Sequence, residues 1–447
     1  MRLAFHTFGC KLNQYETESL AFSFDSPEFS LVSFDRQAEL YIINTCSVTS
    51  KSEQKARGLI RRVSRMYPGS LIIVTGCYAQ VDRESVSVLG PNVVVVPQED
   101  KTVLHDFSRF LREEQNLKIF EHREKRGIFR EFMREQLQKP GNPFRYHVNR
   151  FRFHSRAFLK VQDGCDYRCS YCIIPRARGL SVSLDPESIV QRIQSLEERG
   201  YREVVLTGVN LCSYKHRDLS LPDLLQMVLS ATDRVRVRLS SLEPDRIDAS
   251  LQSALAAQRI CPHFHIPVQS GSDRILHLMK RRYTRKKLLE AVGLIREVKP
   301  EAFIAGDFIV GFPGEEERDF DLTLETIERL RLAKLHVFPF SRRPGTEASG
   351  WSDSIPGHIK KSRVRRLLVL SESLLKEYIG SWEGRSVEAV LEDECDADGN
   401  WRGLSENYLK LLIRRIPCNQ AMSGGLVSCL IERAGVPARA TFLKFIS

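Results

Sequence analysis

Short apolar runs alternate with longer amphipathic stretches along the first 116 residues. The runs at 3–8, 40–43, 71–75 and 93–96 are too short for buried helices, and their Val, Ile and Leu content suits parallel strands covered on both faces. The stretches 16–24, 52–66 and 81–89 read as the helices between them, which predicts an α/β sheet domain. From 157 to about 375 the rhythm returns, with strands at 157–161, 203–207, 235–240, 263–268, 303–310 and 335–340 and helices at 186–199, 221–230, 284–298 and 315–330. Six such units predict a partial (βα)6 barrel whose chemistry sits at the carboxyl ends of its strands. A long helix at 359–379 then gives way to short strands at 386–391, 408–413, 426–432 and 439–445, punctuated by Gly403, Gly424, Gly425 and Gly435. That pattern suits a small β-barrel. The expected organisation is therefore an α/β multidomain chain divided at 1–116, 117–156, 157–380 and 381–447.

The rhythm fails between 117 and 156. Eleven Lys and Arg, from Lys118 to Arg156, face four Glu there, and Pro140, Gly141 and Pro143 end the helix expected at 127–138. This basic connector reads either as a solvated linker or as a strip of phosphate contacts. The whole chain of 447 residues carries 67 Lys+Arg against 56 Asp+Glu, a net +11, which points to a polyanionic partner such as nucleic acid; a merely basic surface is the plainer alternative. No apolar run approaches membrane-spanning length and no signal peptide opens the chain, so a cytoplasmic protein with no membrane partner is expected. In that reducing compartment eleven cysteines speak for metal rather than disulfides.

Cys165, Cys169 and Cys172 lie in VQDGCDYRCSYCIIPRARG (161–179), spaced Cys-x3-Cys-x2-Cys on a loop after the first barrel strand. Three thiolates fill three corners of a four-iron cluster and leave one iron open as a binding site. A zinc knuckle or three packed thiols are the alternatives. Cys10, Cys46 and Cys77 each follow a strand of the first domain, at the edge where open parallel sheets bind ligands. They form a second candidate triad, against the alternative of ordinary core cysteines. Cys212 has no partner triad, and Cys261, Cys395, Cys418 and Cys429 read as structural thiols.

The first cysteine stretch resembles the radical S-adenosylmethionine (SAM) superfamily. The segments FGCKLNQYETE (8–18), NTCSVTSKSEQKAR (44–57) and TGCYAQ (75–80) resemble the N-terminal domain of the methylthiotransferases. The form FGCKLNQYE, with Lys11, Asn13, Gln14 and Tyr15, is most similar to the branch acting on threonylcarbamoyladenosine in tRNA. TGVNLCSY (207–214), SSLEP (240–244), HFHIPVQSGS (263–272), MKRRYT (279–284), GDFIVGFPGE (306–315) and HVFPFSRRPGTEA (336–348) resemble the same enzymes, and the terminal barrel resembles the RNA-binding TRAM domain.

The resemblance implies two [4Fe-4S] clusters, one on each triad, with SAM on the open iron of the Cys165/Cys169/Cys172 cluster. Glu243, Gln269, Ser270, Asp307, Gly311 and Gly314 are the candidates for holding SAM and orienting substrate. It also implies tRNA as substrate, a reduced electron donor, a sulfur source, and a methylthio group placed on carbon 2 of N6-threonylcarbamoyladenosine at position 37. No side chain is assigned an acid–base role, because an unactivated C–H bond has no acidic proton and the cofactor supplies the radical. The rivals are the same chemistry on isopentenyladenosine in tRNA or on an aspartate of a ribosomal protein, and a non-catalytic iron–sulfur RNA-binding regulator. The terminal barrel is expected to serve tRNA binding and to be separable from SAM cleavage.

Overall fold

The computed structural model describes residues 1–113, 116–118, 120, 124–136, 141–352, 355–417 and 422–446, without the side chains of 393 and 394. Five parallel strands form the first sheet, in the order Ser30–Leu31, Arg2–Thr7, Leu40–Thr45, Leu71–Gly76, Val93–Val95. Leu40–Thr45 and Leu71–Gly76 are buried at every residue, which is why they read as unbroken apolar runs. The helix after the first strand begins at Lys11, ahead of the expected residue 16. Its buried face carries Asn13, Glu16, Thr17, Glu18 and Ser19, so hydrophobic periodicity conceals it. The helix expected at 81–89 is two short ones, Cys77–Val81 and Arg83–Ser87. Asp82 breaks it and caps the second piece by accepting from the Ser85 amide.

The connector is a packed element of the fold. Its helix, Lys125–Gln136, sets Phe129 and Phe132 against Phe107 of the first domain, with ring centroids 4.7 and 5.1 Å apart. Downstream, Phe144, Tyr146, Val148 and Phe151 join the core of the central domain. Part of the basic strip is used internally: Arg145 pairs with Asp106 and Arg152 with Asp25, while Lys125 and Arg126 donate to the Gly69 and Pro91 carbonyls. Arg130, Arg134 and Arg150 remain exposed. Arg123, Lys139, Pro140 and the last two positions of the expected helix, 137–138, lie outside the described residues, as does Cys418.

Tyr146 meets the ring of His105 at 5.4 Å, and burial, then the charge of Arg145, holds that imidazole down at about 4. The folded value lies below the ordinary one, so between about pH 6.5 and 4 the unfolded chain binds more protons and stability falls as pH falls. This one group accounts for a loss of at most about 3 kcal/mol across that window. Chemical denaturation at pH 7, 5 and 4 should show a shallower acid loss for His105→Gln than for the native chain.

In the central domain Ala157–Lys160, Glu203–Thr207 and Arg236–Leu239 form one parallel sheet, and His263–Gln269, Phe303–Val310 and Lys334–Pro339 another. Parallel bridges at Val237–Ile260 and Ser241–His265 join them into a six-stranded half-barrel. Outward residues such as Val204, Leu206, Ile266 and Phe308 are fully buried in a single apolar core under the covering helices. The inward face is charged instead: Lys160, Glu203, Arg238, His265, Asp307 and His336 occupy it. A filled barrel would carry Val, Ile and Leu layers there; an interior lined this way suits a polar ligand.

The C-terminal strands Ser386–Cys395, Trp401–Ser405, Lys410–Arg414, Leu426–Arg433 and Ala438–Phe445 close into a barrel. Trp401–Ser405 escapes the apolar pattern because Arg402 and Gly403 interrupt it. This small barrel covers the amino ends of the half-barrel strands. Arg238 donates to the Ser405 and Glu406 carbonyls at 3.0 and 2.9 Å, and Phe303, Ala305 and Ala333 share an apolar core with Trp382, Leu409 and Leu411. Removing 382–447 would strip that core and leave Arg238 without those acceptors, so the domain is less separable than the sequence suggests.

Candidate metal centres and the lumen between them

Each N-terminal cysteine sits just past a strand end. Cys10 caps the helix Lys11–Ser23, Cys46 follows Leu40–Thr45, and Cys77 opens the helix Cys77–Val81. The strand ends approach so closely that a Cβ on Gly9 would lie 2.6 Å from Cys46 Cβ, and one on Gly76 would lie 2.4 Å from the Thr45 carbonyl oxygen. Both glycines also hold positive φ, +102° and +95°, so the turn before each thiol tolerates no side chain. Burial pushes the Cys46 thiol up to about 11, with further opposition from Cys77 and Cys10. Cys77 is raised by burial and by Cys10 while Arg178 pulls it down. Neighbouring thiols that oppose the ionisation of Cys46 and Cys77 suit a bound cation, which deprotonates a coordinating thiol.

Cys165, Cys169 and Cys172 lie on the loop after Ala157–Lys160. Cys169 accepts from Arg281 Nη1 at 3.3 Å, and Cys165 from the Tyr167 amide at 3.4 Å. Burial raises all three thiols, Cys172 to about 12, with Cys169 and Cys165 adding to it. Arg281 also pairs with Glu243, whose carboxyl burial pushes up to about 7 against the pull of that guanidinium. Both polar atoms of the Asn210 side chain are buried without a hydrogen-bond partner, in a position where the amide favours the ionised Cys165. An orphaned amide beside the thiols fits a site completed by a polar cofactor. Among the described residues no group of three or more His, Cys, Asp or Glu is posed to hold a metal ion, although Cys77 and Cys10 lie close enough to act on Cys46, and Cys169 and Cys165 on Cys172.

The helices that follow Cys77 and Cys172, Cys77–Val81 and Ile174–Arg178, pack against each other. Arg178 ends the second and reaches into the first domain. Its Nη2 donates to Asn13 Oδ1 at 2.6 Å, and its Nη1 to Glu16 Oε1 at 3.0 Å and Asp163 Oδ1 at 2.9 Å. Glu16, fully buried, also takes Lys101 at 2.6 Å and Lys160 at 2.9 Å, while Lys160 pairs with Asp163. Three cations thus face two carboxylates, and the excess positive charge lies where Arg178 favours the thiolate of Cys77. The charged cations hold Glu16 well below the usual carboxylate range despite a larger opposing effect of burial. On the other side Arg343, from the segment after the last barrel strand, pairs with Glu53 and donates to Ser47, next to Cys46.

The remaining candidates divide. Asp307 faces the lumen and pairs with His265 at 2.7 Å. Gln269 ends its strand at φ +62°, left-handed for a residue with a side chain, and is buried. The Ser270 hydroxyl is drawn into its own turn, accepting from the Ser272 amide at 3.2 Å. Gly311 and Gly314 turn at φ +70° and +82°, and the Gly311 amide donates to Glu315. Cys261 lies on Glu203 and Cys429 inside the terminal barrel, while Cys212 lies beside Glu243. Sequence reasoning missed Glu16, Lys101, Lys160, Arg178, Arg238 and Arg281 as parts of the site. The one local signal was charge inside strands and helices that otherwise read as buried.

A cavity of about 880 Å³ lies away from the thiols, between Arg150, Arg152, Arg199 and Arg202 and the 422–426 turn of the terminal barrel. Its lining is basic, as a phosphate-contacting cleft requires; the chemistry belongs to the cysteine face. Among the described residues no helix is long and apolar enough to cross a membrane.

The radical SAM superfamily matches residues 159–327, and the uncharacterized protein family UPF0004 matches residues 2–97. The threonylcarbamoyladenosine tRNA methylthiotransferase of Treponema pallidum is 38% identical over 97% of this chain and 95% of its own, and that of Bacillus subtilis 35% identical over 97% and 94%. A tRNA-2-methylthio-N(6)-dimethylallyladenosine synthase of Natranaerobius thermophilus is 32% identical over 96% and 93%. Among solved structures, a radical SAM methyltransferase from Kitasatospora setae with cobalamin and a [4Fe-4S] cluster bound has a TM-score of 0.53 at 14% identity over 78% of this chain and 77% of that one, a likeness of fold.

Proposed function

The chain belongs to the radical SAM threonylcarbamoyladenosine tRNA methylthiotransferases, and from that premise we propose how its residues divide the reaction. It is an enzyme that adds a methylthio group to carbon 2 of N6-threonylcarbamoyladenosine in tRNA, using SAM and a four-iron cluster. When bound, the cluster supplies the electron that cleaves SAM and so yields the radical needed for an unactivated C–H bond.

Cys165, Cys169 and Cys172 hold that cluster. Arg281 donates to the Cys169 sulfur and steadies it, and Glu243 fixes Arg281. Asn210 and Gln269 offer polar atoms to SAM, Gly311 and Gly314 shape the turn beside it, and Asp307 faces the substrate side. Ser270 orders the turn after Gln269. Cys10, Cys46 and Cys77 hold a second four-iron cluster that carries the sulfur. The observation behind this division is the packing of helix Cys77–Val81 against helix Ile174–Arg178, which follows Cys172, with Arg178 bonded to Asn13 and Glu16 of the first domain, since a radical made at one site must act on an adenine presented to the other.

The basic cleft around Arg150 and Arg199 meets the tRNA backbone. A reduced electron donor and a sulfur source act from outside the chain, and the reaction belongs in the cytoplasm with the tRNA pool. Mass spectrometry of tRNA nucleosides tests the reading: deletion of the gene removes the 2-methylthio derivative of threonylcarbamoyladenosine and leaves that of isopentenyladenosine. The opposite pattern sinks it.

A further inference from the structure

Lys11 enters the half-barrel from the neighbouring domain. Its ammonium lies 5.8 Å from the ring centroid of Tyr408, the ring that stacks on His263 at 3.9 Å and beneath the Arg238 guanidinium at 5.2 Å. The side chain that follows Cys10 therefore reaches the floor of the lumen, where an arginine of the third half-barrel strand, a histidine of the fourth and a tyrosine of the terminal domain meet. Burial first, and then neighbouring cations that include Lys11, hold His263 and His336 below the ordinary imidazole range, which places the lysine's charge among them.

Four cations, Lys11, Arg156, Arg236 and Arg238, crowd one fully buried acid on this floor, Glu203, while burial pushes the carboxyl of the neighbouring Glu406 up to about 7. Glu203 is occupied by Arg238 at 2.7 Å, Arg236 at 2.8 Å and Arg156 at 3.2 Å. Asp307 is held by His265, and Glu388, at the rim, lies 3.8 Å from Arg236. Among the described residues Lys11 forms no ion pair and no hydrogen bond. His336, on the last strand, is exposed, so the lumen opens on that side. A half-buried lysine whose acidic neighbour, Glu203, is already taken by three arginines calls for an anion brought in from outside.

We propose that Lys11 is the residue that selects the substrate, by accepting the carboxylate of the threonyl group into the lumen. The inference rests on the function proposed above and deepens it. The N6 substituent of threonylcarbamoyladenosine ends in a carboxylate and a hydroxyl, whereas the isopentenyl group is apolar and would leave Lys11 buried beside hydrocarbon. Because Lys11 directly follows Cys10, the turn that offers a thiol to the sulfur-carrying cluster also offers the receptor for the substrate's charge. Recognition and chemistry are thereby set in register.

The test uses the full, anaerobically reconstituted chain and two anticodon stem-loop RNAs, one with threonylcarbamoyladenosine at position 37 and one with threoninol in place of threonine, so that an alcohol replaces the carboxylate. Removing one charge-assisted hydrogen bond should lower affinity and kcat/KM about 10- to 100-fold. The native enzyme should show that loss on the threoninol RNA. Lys11→Met should show it on the threonyl RNA and then fail to distinguish the two, while Lys11→Arg recovers part of the discrimination. Iron content and thermal midpoint are read on each variant, and RNA affinity is measured without SAM, so a folding defect registers separately. If Lys11→Met does not fold, the native enzyme and Lys11→Arg still decide. Native enzyme that modifies neither RNA overturns the functional reading; native enzyme indifferent to the carboxylate, or a Lys11→Met variant that still detects it, overturns the assignment of Lys11.

Discussion

Replacing Cys10, Cys46 and Cys77 by Ala abolishes methylthio transfer to tRNA while SAM is still cleaved to 5′-deoxyadenosine under strong reductant; replacing Cys165, Cys169 and Cys172 abolishes both. Each variant should keep about half the iron of the native chain, because each removes one of two four-iron sites. The asymmetry follows from the fold: Cys165, Cys169, Cys172, Arg281, Glu243 and Asn210 all belong to the half-barrel, whereas Cys10, Cys46 and Cys77 belong to the neighbouring sheet domain. The domains nevertheless share Arg178, whose charge favours the thiolate of Cys77. Loss of the N-terminal thiols removes a negative partner from Arg178 but leaves Glu16 and Asp163 in place, so the loop that carries Cys165 to Cys172 keeps its anchor. Iron analysis, separation of 5′-deoxyadenosine and nucleoside mass spectrometry read the three quantities independently. Full iron in either variant, or methylthiolated adenosine from the N-terminal variant, would contradict the division.

The triads were legible because their information is local. A spacing of three and two residues, or a cysteine one or two positions past an apolar run, can be seen without knowing what lies opposite. The lumen was legible in principle and passed over, because Arg236 and Arg238, His263 and His265, and Lys334 and His336 each repeat with the two-residue period of a strand. Reading those segments as apolar runs averaged the inward and outward faces. The helix Lys11–Ser23 was cut short for a related reason: its buried face is polar, so the feature that makes it functional removes the pattern that reveals helices. Glu16 and Arg178 are a different case. They stand 162 positions apart, and nothing near either one names its partner. A buried ion network between domains is a property of the assembled fold, visible beforehand only as charges in places that should be apolar.

Glu16→Gln should be the most damaging single substitution at the domain junction. The carboxylate takes Lys101, Lys160 and Arg178 at 2.6, 2.9 and 3.0 Å and is fully buried, so its loss leaves Lys160 and Arg178 with Asp163 alone and takes from Lys101 its carboxylate partner. Breaking a buried ion pair by removing one partner costs about 3–5 kcal/mol, because the remaining charge is neither solvated nor balanced. The amide retains hydrogen-bonding atoms, and the damage is therefore a matter of charge more than of shape. Thermal or denaturant unfolding reads the stability loss. The yield of methylthiolated adenosine per 5′-deoxyadenosine formed reads the loss of register between the two cysteine sites, and it should fall further than SAM cleavage does. Arg178→Gln is damaging for the opposite reason, since it leaves Glu16 and Asp163 short of a cation. The double variant, which removes one charge of each sign, should be less destabilised than the two single effects combined, with a coupling of about 1–3 kcal/mol. A Glu16→Gln chain as stable and as productive as the native one, or strict additivity in the double variant, would mean that the network does not hold the two sites together.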